Sequence, residues 1–232
     1  MIDKDVIVAC DFPSAEETYK FLDLFTDAKP YVKIGMELYY AEGPSIVREI
    51  KAREHKIFLD LKLHDIPNTV SKAASQLAKL GVDMTNVHCA GGANMMAAAK
   101  EALEGSSTKL IAVTQLTSTS EEVMHEELLI DNSKTIKEVV INFAQNAKDA
   151  GLDGVVCSPL EAGEIKKSIG DEFLTVTPGI RFADDAKGDQ VRVTTPADAK
   201  VSSDFIVVGR SITASSNPVE AYKRCVRDFL GE

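Results

Sequence analysis

Short apolar runs recur along the whole chain: Val6–Cys10, Tyr31–Met36, Lys56–Lys62, Met84–Cys89, Leu110–Leu116, Gly154–Ser158, Leu174–Pro178 and Phe205–Gly209. They are continuous rather than alternating, as in strands covered on both faces. Between them the apolar period becomes helical. Ser14-Ala15-Glu16-Glu17 places a capping serine and a capping-box carboxylate at the start of a helix running toward Phe25. From Asn68 to Leu80, residues Val70, Ala73, Ala74, Leu77 and Ala78 share one helical face, and Gly81 ends it. The pattern returns from Thr135 to Ala150, ahead of Gly151, and predicts further helices over Glu161–Ile169 and Pro218–Leu230.

These eight strand–helix repeats predict an α/β fold, a (β/α)8 TIM barrel forming one catalytic domain over residues 1–232. An open doubly wound sheet would carry a glycine-rich dinucleotide loop after its first strand. Here that strand ends in Asp11-Phe12-Pro13, and GxGxxG is absent throughout. No linker or low-complexity segment divides the chain.

Composition narrows the partners. The net charge is −10, which argues against nucleic acid, although a local Lys/Arg cluster still suits a small anion. Cys10, Cys89, Cys157 and Cys225 lie far apart, with no CxxC or zinc-finger spacing. Most of them sit within apolar runs, so reduced core thiols and a cytoplasmic location are expected. The polar start Met1-Ile2-Asp3-Lys4-Asp5 lacks a signal-peptide shape, and the apolar runs are too short for a bilayer, so no membrane partner is expected.

The densest chemistry lies in Asp60-Leu61-Lys62-Leu63-His64-Asp65-Ile66-Pro67-Asn68-Thr69. Asp60 and Lys62 are two apart and share a strand face; Asp65 follows just past the strand end. Buried charge is costly unless paired, and a third, unbalanced charge favours chemistry over a structural ion pair. A barrel places active-site residues at the C-terminal strand ends. There the sequence offers Asp11, Lys33, Asp60, Lys62, His88, Gln115, Thr117, Arg181 and Arg210. Gly209-Arg210-Ser211, closing the last strand before a helix start, suits a phosphate dianion. The polar segment from Arg181 to Arg192 is long enough for a lid. His55 and His125 read as surface residues, and His64 and His88 as structural. No His/Cys cluster has metal-ligand spacing, so no metal is expected.

With these residues in place, the chain closely resembles the orotidine 5′-monophosphate decarboxylase family over essentially its whole length. The Asp60–Thr69 motif carries most of the likeness. Supporting matches are Ala9-Cys10-Asp11, Val32-Lys33-Ile34-Gly35, Thr114-Gln115-Leu116-Thr117-Ser118, Thr177-Pro178-Gly179-Ile180-Arg181, Asp189-Gln190 and Val208-Gly209-Arg210-Ser211. The resemblance implies cofactor-free conversion of orotidine 5′-monophosphate to uridine 5′-monophosphate and carbon dioxide, the last step of de novo pyrimidine nucleotide synthesis. It implies Lys62, Asp60, Asp65 and Lys33 as catalytic residues. Asp11 and Lys33 would meet the ribose, and Asp60 the substrate carboxylate. Thr117 would contact the pyrimidine, and Arg181, Gln190, Gly209 and Arg210 the phosphate. Ile66, Pro67 and Thr69 complete the implied binding set. A homodimer is implied, with Asp65 and its neighbours reaching into the partner's site.

Sugar-phosphate decarboxylases and hexulose phosphate synthases share Asp-x-Lys-x-x-Asp. They use magnesium held partly by a carboxylate on the second strand, where this chain has Lys33. A non-catalytic phosphate-binding barrel would be expected to lack Lys62 or a carboxylate of the motif; this chain has all of them.

Overall fold

In the computed structural model, which describes residues 4–185 and 194–231, every apolar run forms a strand. The strands are β1 (Asp5–Ala9), β2 (Tyr31–Ile34), β3 (Ile57–Leu63), β4 (Met84–His88), β5 (Lys109–Val113), β6 (Gly154–Val156), β7 (Leu174–Thr177) and β8 (Phe205–Val208). Each pairs in parallel with the next, and β8 returns to β1, with Ile7 opposite Val207. The result is a closed (β/α)8 barrel.

The helices are α1 (Ala15–Leu22), α2 (Met36–Glu42), α3 (Pro44–Ala52), α4 (Pro67–Lys79), α5 (Ala93–Glu101), α6 (Glu121–Glu126), α7 (Ile136–Asp149), α8 (Pro159–Ile169), α9 (Pro196–Ala199), α10 (Arg210–Thr213) and α11 (Pro218–Leu230). Their starts follow local chemistry. Ser14 Oγ accepts from the Glu17 N–H, and Thr135–Glu138 and Ser158–Glu161 close full capping boxes. Proline opens α3, α4, α8, α9 and α11, where no helical N–H is lost. Several strands stop short of their apolar runs because the last residues serve the following helix: Gly35, Ser158 and Gly209 are N-caps.

Strand alternation divides the core. One set points into the barrel: Ile7, Ala9, Tyr31, Phe58, Met84, Ile111, Leu174, Val176, Phe205 and Val207 form an apolar plug. The other set, including Val8, Val32, Leu59, Val87 and Ala112, packs against the surrounding helices. Each fully buried large side chain contributes roughly 1.5–3 kcal/mol. All four cysteines are buried and unbridged, and burial pushes the Cys10, Cys89 and Cys225 thiols up to about 12, as suits inert core residues. Among the described residues no helix is long and apolar enough to cross a membrane.

A repeated device closes the bottom of the barrel. Asp83, Asp153 and Asp204 each immediately precede an even-numbered strand. Their carboxylates accept the N–H of Ile57 (2.8 Å), Leu110 (2.7 Å) and Thr175 (2.8 Å) at the start of the preceding odd strand. Each also takes a lysine from the helix before that odd strand: Lys51 (2.9 Å), Lys100 (2.7 Å) and Lys166 (2.6 Å).

Candidate active site

The inward-facing set changes character as it climbs. On β1 it runs Ile7, Ala9, and then Asp11 just beyond the strand. On β2 it runs from Tyr31 to Lys33, on β3 from Phe58 to Asp60, and on β4 from Met84 to Asn86 and His88. A row of polar side chains therefore sits on an apolar floor at the C-terminal mouth.

The charges in that row alternate. Lys33 Nζ lies 2.8 Å from Asp11 Oδ1 and 3.6 Å from Asp60 Oδ2; Lys62 Nζ lies 2.7 Å from Asp60 Oδ1. Burial opposes the Lys33 ammonium, but Asp11 and Asp60 outweigh it and lift Lys33 above the usual lysine range. Burial would raise the Asp60 carboxyl, yet Lys33, Lys62 and the bonds from Lys62 and Asn86 hold it below the usual aspartate range. Both remain charged at neutral pH. Gly35 gives the row its clearance: a Cβ there would lie 3.1 Å from Asp11 Oδ1 and 3.2 Å from Lys33 Nζ.

Asp60 and Lys62 do meet, but not by the simple two-residue alternation of a regular strand. Lys62 has φ of +51°, in the left-handed region that side-chain-bearing residues avoid. The β3–β4 pairing also slips: Leu59 faces Thr85 and Leu63 faces Val87, so four residues of β3 advance against two of β4. Asn86, fully buried, bonds to both sides of this bulge. The sequence reading passed over Asn86; an amide inside the apolar strand Met84–His88 was the available signal. Such a residue is buried only with its bonds satisfied.

The other expected residues divide by location. Asp65 is exposed, accepts the N–H of Ile66, and forms no ion pair among the described residues. Ile66, Pro67 and Thr69 are exposed beside it at the start of α4. Thr117 lies half-buried past β5 and, among the described residues, makes no hydrogen bond to the charged row. Gln190 and most of the Arg181–Arg192 segment lie outside the described residues. Arg181, Gly209 and Arg210 line a cavity of about 490 Å³ together with Asp11 and Lys33, a size suited to a nucleotide-scale ligand. Its polar lining thus runs from the start of the charged row to the arginines beyond β7 and β8. A second, more apolar cavity of about 550 Å³ is lined by His88, Gln115, Leu116, Leu128 and Phe143.

The histidines are a partial correction. His88 is half-buried with its ring centroid 5.7 Å from that of exposed His64. His55, expected at the surface, is instead 2% exposed, its Nδ1 2.9 Å from the Pro30 carbonyl. Among the described residues no three His, Cys, Asp or Glu side chains gather as a metal site would require.

Comparison with known proteins places the chain in a family. Residues 4–225 match the family described as orotidine 5′-phosphate decarboxylase / HUMPS. An orotidine 5′-phosphate decarboxylase of Geobacillus sp. (strain WCH70) is 55% identical over 233 residues, covering 97% of each chain. One from Fusobacterium nucleatum is 55% identical, covering 95% of this chain and 93% of its own. The crystal structure of orotidine 5′-phosphate decarboxylase from Lactobacillus acidophilus superposes with a TM-score of 0.87 at 43% identity, over 98% of this chain and 99% of that one. Motif, barrel and relatives coincide over nearly the full length, and the chain belongs to the orotidine 5′-phosphate decarboxylase / HUMPS family.

Proposed function

We propose that this protein decarboxylates orotidine 5′-monophosphate to uridine 5′-monophosphate without a cofactor, completing uridylate synthesis. The observation that carries the reading is the alternating row Asp11–Lys33–Asp60–Lys62 over an apolar floor, beside a cavity that ends at Arg181 and Arg210.

The chemistry demands such a row. When the ring-carbon–carboxylate bond breaks, its electron pair stays on the ring carbon, in the ring plane, where the π system helps little. Stabilisation must come from a fixed positive charge. The Lys62 ammonium supplies it and transfers a proton to that carbon; the neutral amine then regains a proton from solvent. Asp60 Oδ1, 2.7 Å from Lys62 Nζ, holds the donor in place. Asp60 also stands where the substrate carboxylate would be repelled, a strain relieved as carbon dioxide leaves. The attraction between Lys62 and the developing carbanion is the larger effect, because it is strongest in the transition state.

The remaining roles follow the same axis. Asp11 and Lys33 meet the ribose hydroxyls, and Thr117 meets the pyrimidine. Arg181, Gln190, Gly209 and Arg210 take the phosphate, whose binding energy is used to order the site around the ring. Asp65, with Ile66, Pro67 and Thr69, serves the second subunit of a cytoplasmic homodimer. Its exposure and lack of a cation partner among the described residues fit that assignment.

The magnesium-dependent branch of the family is disfavoured by Lys33, an ammonium 3.6 Å from Asp60 where a metal-holding carboxylate is needed. An absorbance assay with orotidine 5′-monophosphate tests the reading, with a keto-acid sugar phosphate as control. Decarboxylation of the nucleotide alone, undiminished by exhaustive chelation, is expected. Turnover of the sugar phosphate, lost with EDTA and restored by magnesium, would transfer the protein to the other branch.

A further inference from the structure

The geometry points to Asn86 as the positioning residue that holds Lys62 in its working conformation, its side chain replacing the backbone rungs that the β3–β4 pairing omits. The inference rests on the reading of Lys62 as proton donor.

Between the Leu59–Thr85 and Leu63–Val87 pairs, Asn86 is the single β4 residue opposite Asp60, Leu61 and Lys62. A regular ladder cannot satisfy that excursion. The Asn86 amide does so instead: its Oδ1 accepts the Lys62 N–H at 2.8 Å, and its Nδ2 donates to Asp60 Oδ1 at 2.7 Å. The same carboxylate oxygen receives Lys62 Nζ at 2.7 Å. The bonds form a closed circuit: Lys62 main chain, Asn86 amide, Asp60 carboxylate, Lys62 ammonium. One amide therefore ties both ends of the lysine to the same anion.

The circuit has a strained member. Lys62 occupies the left-handed region without a glycine's freedom, a conformation that persists only where its surroundings over-determine it. The captured N–H supplies that restraint. Simple core packing would be served by an apolar residue, like Met84 and Val87 on the same strand; an amide buried to 0% exposure is costly unless both its ends are bonded. Here both bonds go to residues of the charged row. Without them, Lys62 relaxes to negative φ and its ammonium leaves the line of the breaking bond. Substrate grip, which lies with the ribose and phosphate contacts, is retained.

Two variants test this. Asn86→Leu removes both bonds at similar volume. Its kcat is expected to fall on the order of 10–100-fold, the scale of losing hydrogen bonds to a charged group, while KM and product affinity change less than about threefold. Asn86→Asp keeps the shape. Its neutral acid donates to Asp60 as the amide does, and its carboxylate repels Asp60. The ratio of its kcat to wild type is therefore expected to rise as pH falls from 9 to 5. Should the leucine variant fail to fold, the aspartate profile decides. A pH-independent ratio would overturn the inference. So would a folded Asn86→Leu enzyme with kcat within about threefold of wild type, or one in which product binding falls as far as kcat. The wild-type assay separates the two levels. An inactive wild type removes the decarboxylase reading, whereas an active wild type with a flat Asn86→Asp profile removes only the role of Asn86.

Discussion

At the residue scale, the proposed chemistry concentrates on Lys62. That residue accepts a left-handed backbone that costs about 1–2 kcal/mol, and its ammonium sits 2.7 Å from Asp60. Lys62→Ala is expected to lower kcat by at least about a thousandfold, the scale of losing a preorganised stabilising group, while the product nucleotide still binds. Single-turnover kinetics beside a binding titration would check this, and turnover within tenfold of wild type would remove Lys62 as donor. His55 shows where local reading fails. Its neighbours Glu54 and Lys56 are polar, so it read as surface; the Pro30 carbonyl that accepts its bond comes from another element. Burial pushes its imidazole down, only partly opposed by that carbonyl, and burial lowers His88 similarly. Their folded values lie below the ordinary 6.5, so the unfolded chain binds more protons on the acid side. The stability they contribute is present above pH 6.5 and is lost as pH falls through the depressed values. Asp60 adds a loss of the same sign only below its unperturbed 3.8. Unfolding temperature should therefore drop between about pH 7 and 5, and less so in His55→Gln. Equal drops in both proteins would clear His55 of that role.

At the scale of elements, the sequence was legible where physics is local. Each strand overlaps its apolar run to within a residue at its start, and α1, α4, α7, α8 and α11 begin at caps or prolines visible in the chain. The β3 bulge was illegible, because Asp60 and Lys62 are two apart whether or not the strand is regular. Their meeting was anticipated, but its geometry depends on a register set by β4. The bottom-face clips were half legible: an aspartate stands directly before Met84, Gly154 and Phe205, yet its lysine lies three or four elements earlier. Burial ranks the clips. The Lys166 and Asp204 side chains are 13% and 4% exposed, against 33% each for Lys51 and Asp83. Asp204→Ala leaves the largely buried Lys166 ammonium with only the Asp171 and Phe173 carbonyls and no counter-charge, and is expected to cost about 3 kcal/mol. Asp83→Ala, more open to solvent, should cost about 1–2 kcal/mol. Denaturant unfolding would compare them; equal losses would mean that burial does not set the strength of these clips.

At the scale of the whole molecule, one chain displays a charged row and, apart from it, the exposed Asp65. The proposed two-fold dimer would join Lys62 of one subunit to Asp65 of the other, and would cover Ile66, which is 66% exposed in the single chain. This arrangement was readable only through family resemblance, since no spacing within a chain reports a symmetry axis. Mixing tests it. Lys62→Ala and Asp65→Ala proteins should each be nearly inactive, and co-refolding them should restore activity, with up to one intact site per mixed dimer. If Asp65 serves its own chain, every site lacks one charge, and the mixture stays at background even with mixed dimers formed.

The bottom-face clips also bear on where this chain can be cut. Counted from lysine to aspartate, they occupy residues 51–83, 100–153 and 166–204, three stretches that never overlap. The first and last described elements lie near one another: Lys4 Nζ, just before β1, is 2.7 Å from the Lys200 carbonyl and 5.8 Å from the ring centre of Phe229 on α11. They can therefore be joined and the chain reopened elsewhere. Of the loops on the face away from the charged row, the one between α1 and β2 falls outside every clip. A circular permutant opened between the exposed Thr26 and Asp27 should fold nearly as well as the parent. One opened between the equally exposed Gly105 and Ser106 divides Lys100 from Leu110, sends them to opposite ends of the new chain, and should be the less stable of the two. Matching stabilities would show that the clips gain nothing from being contiguous in sequence.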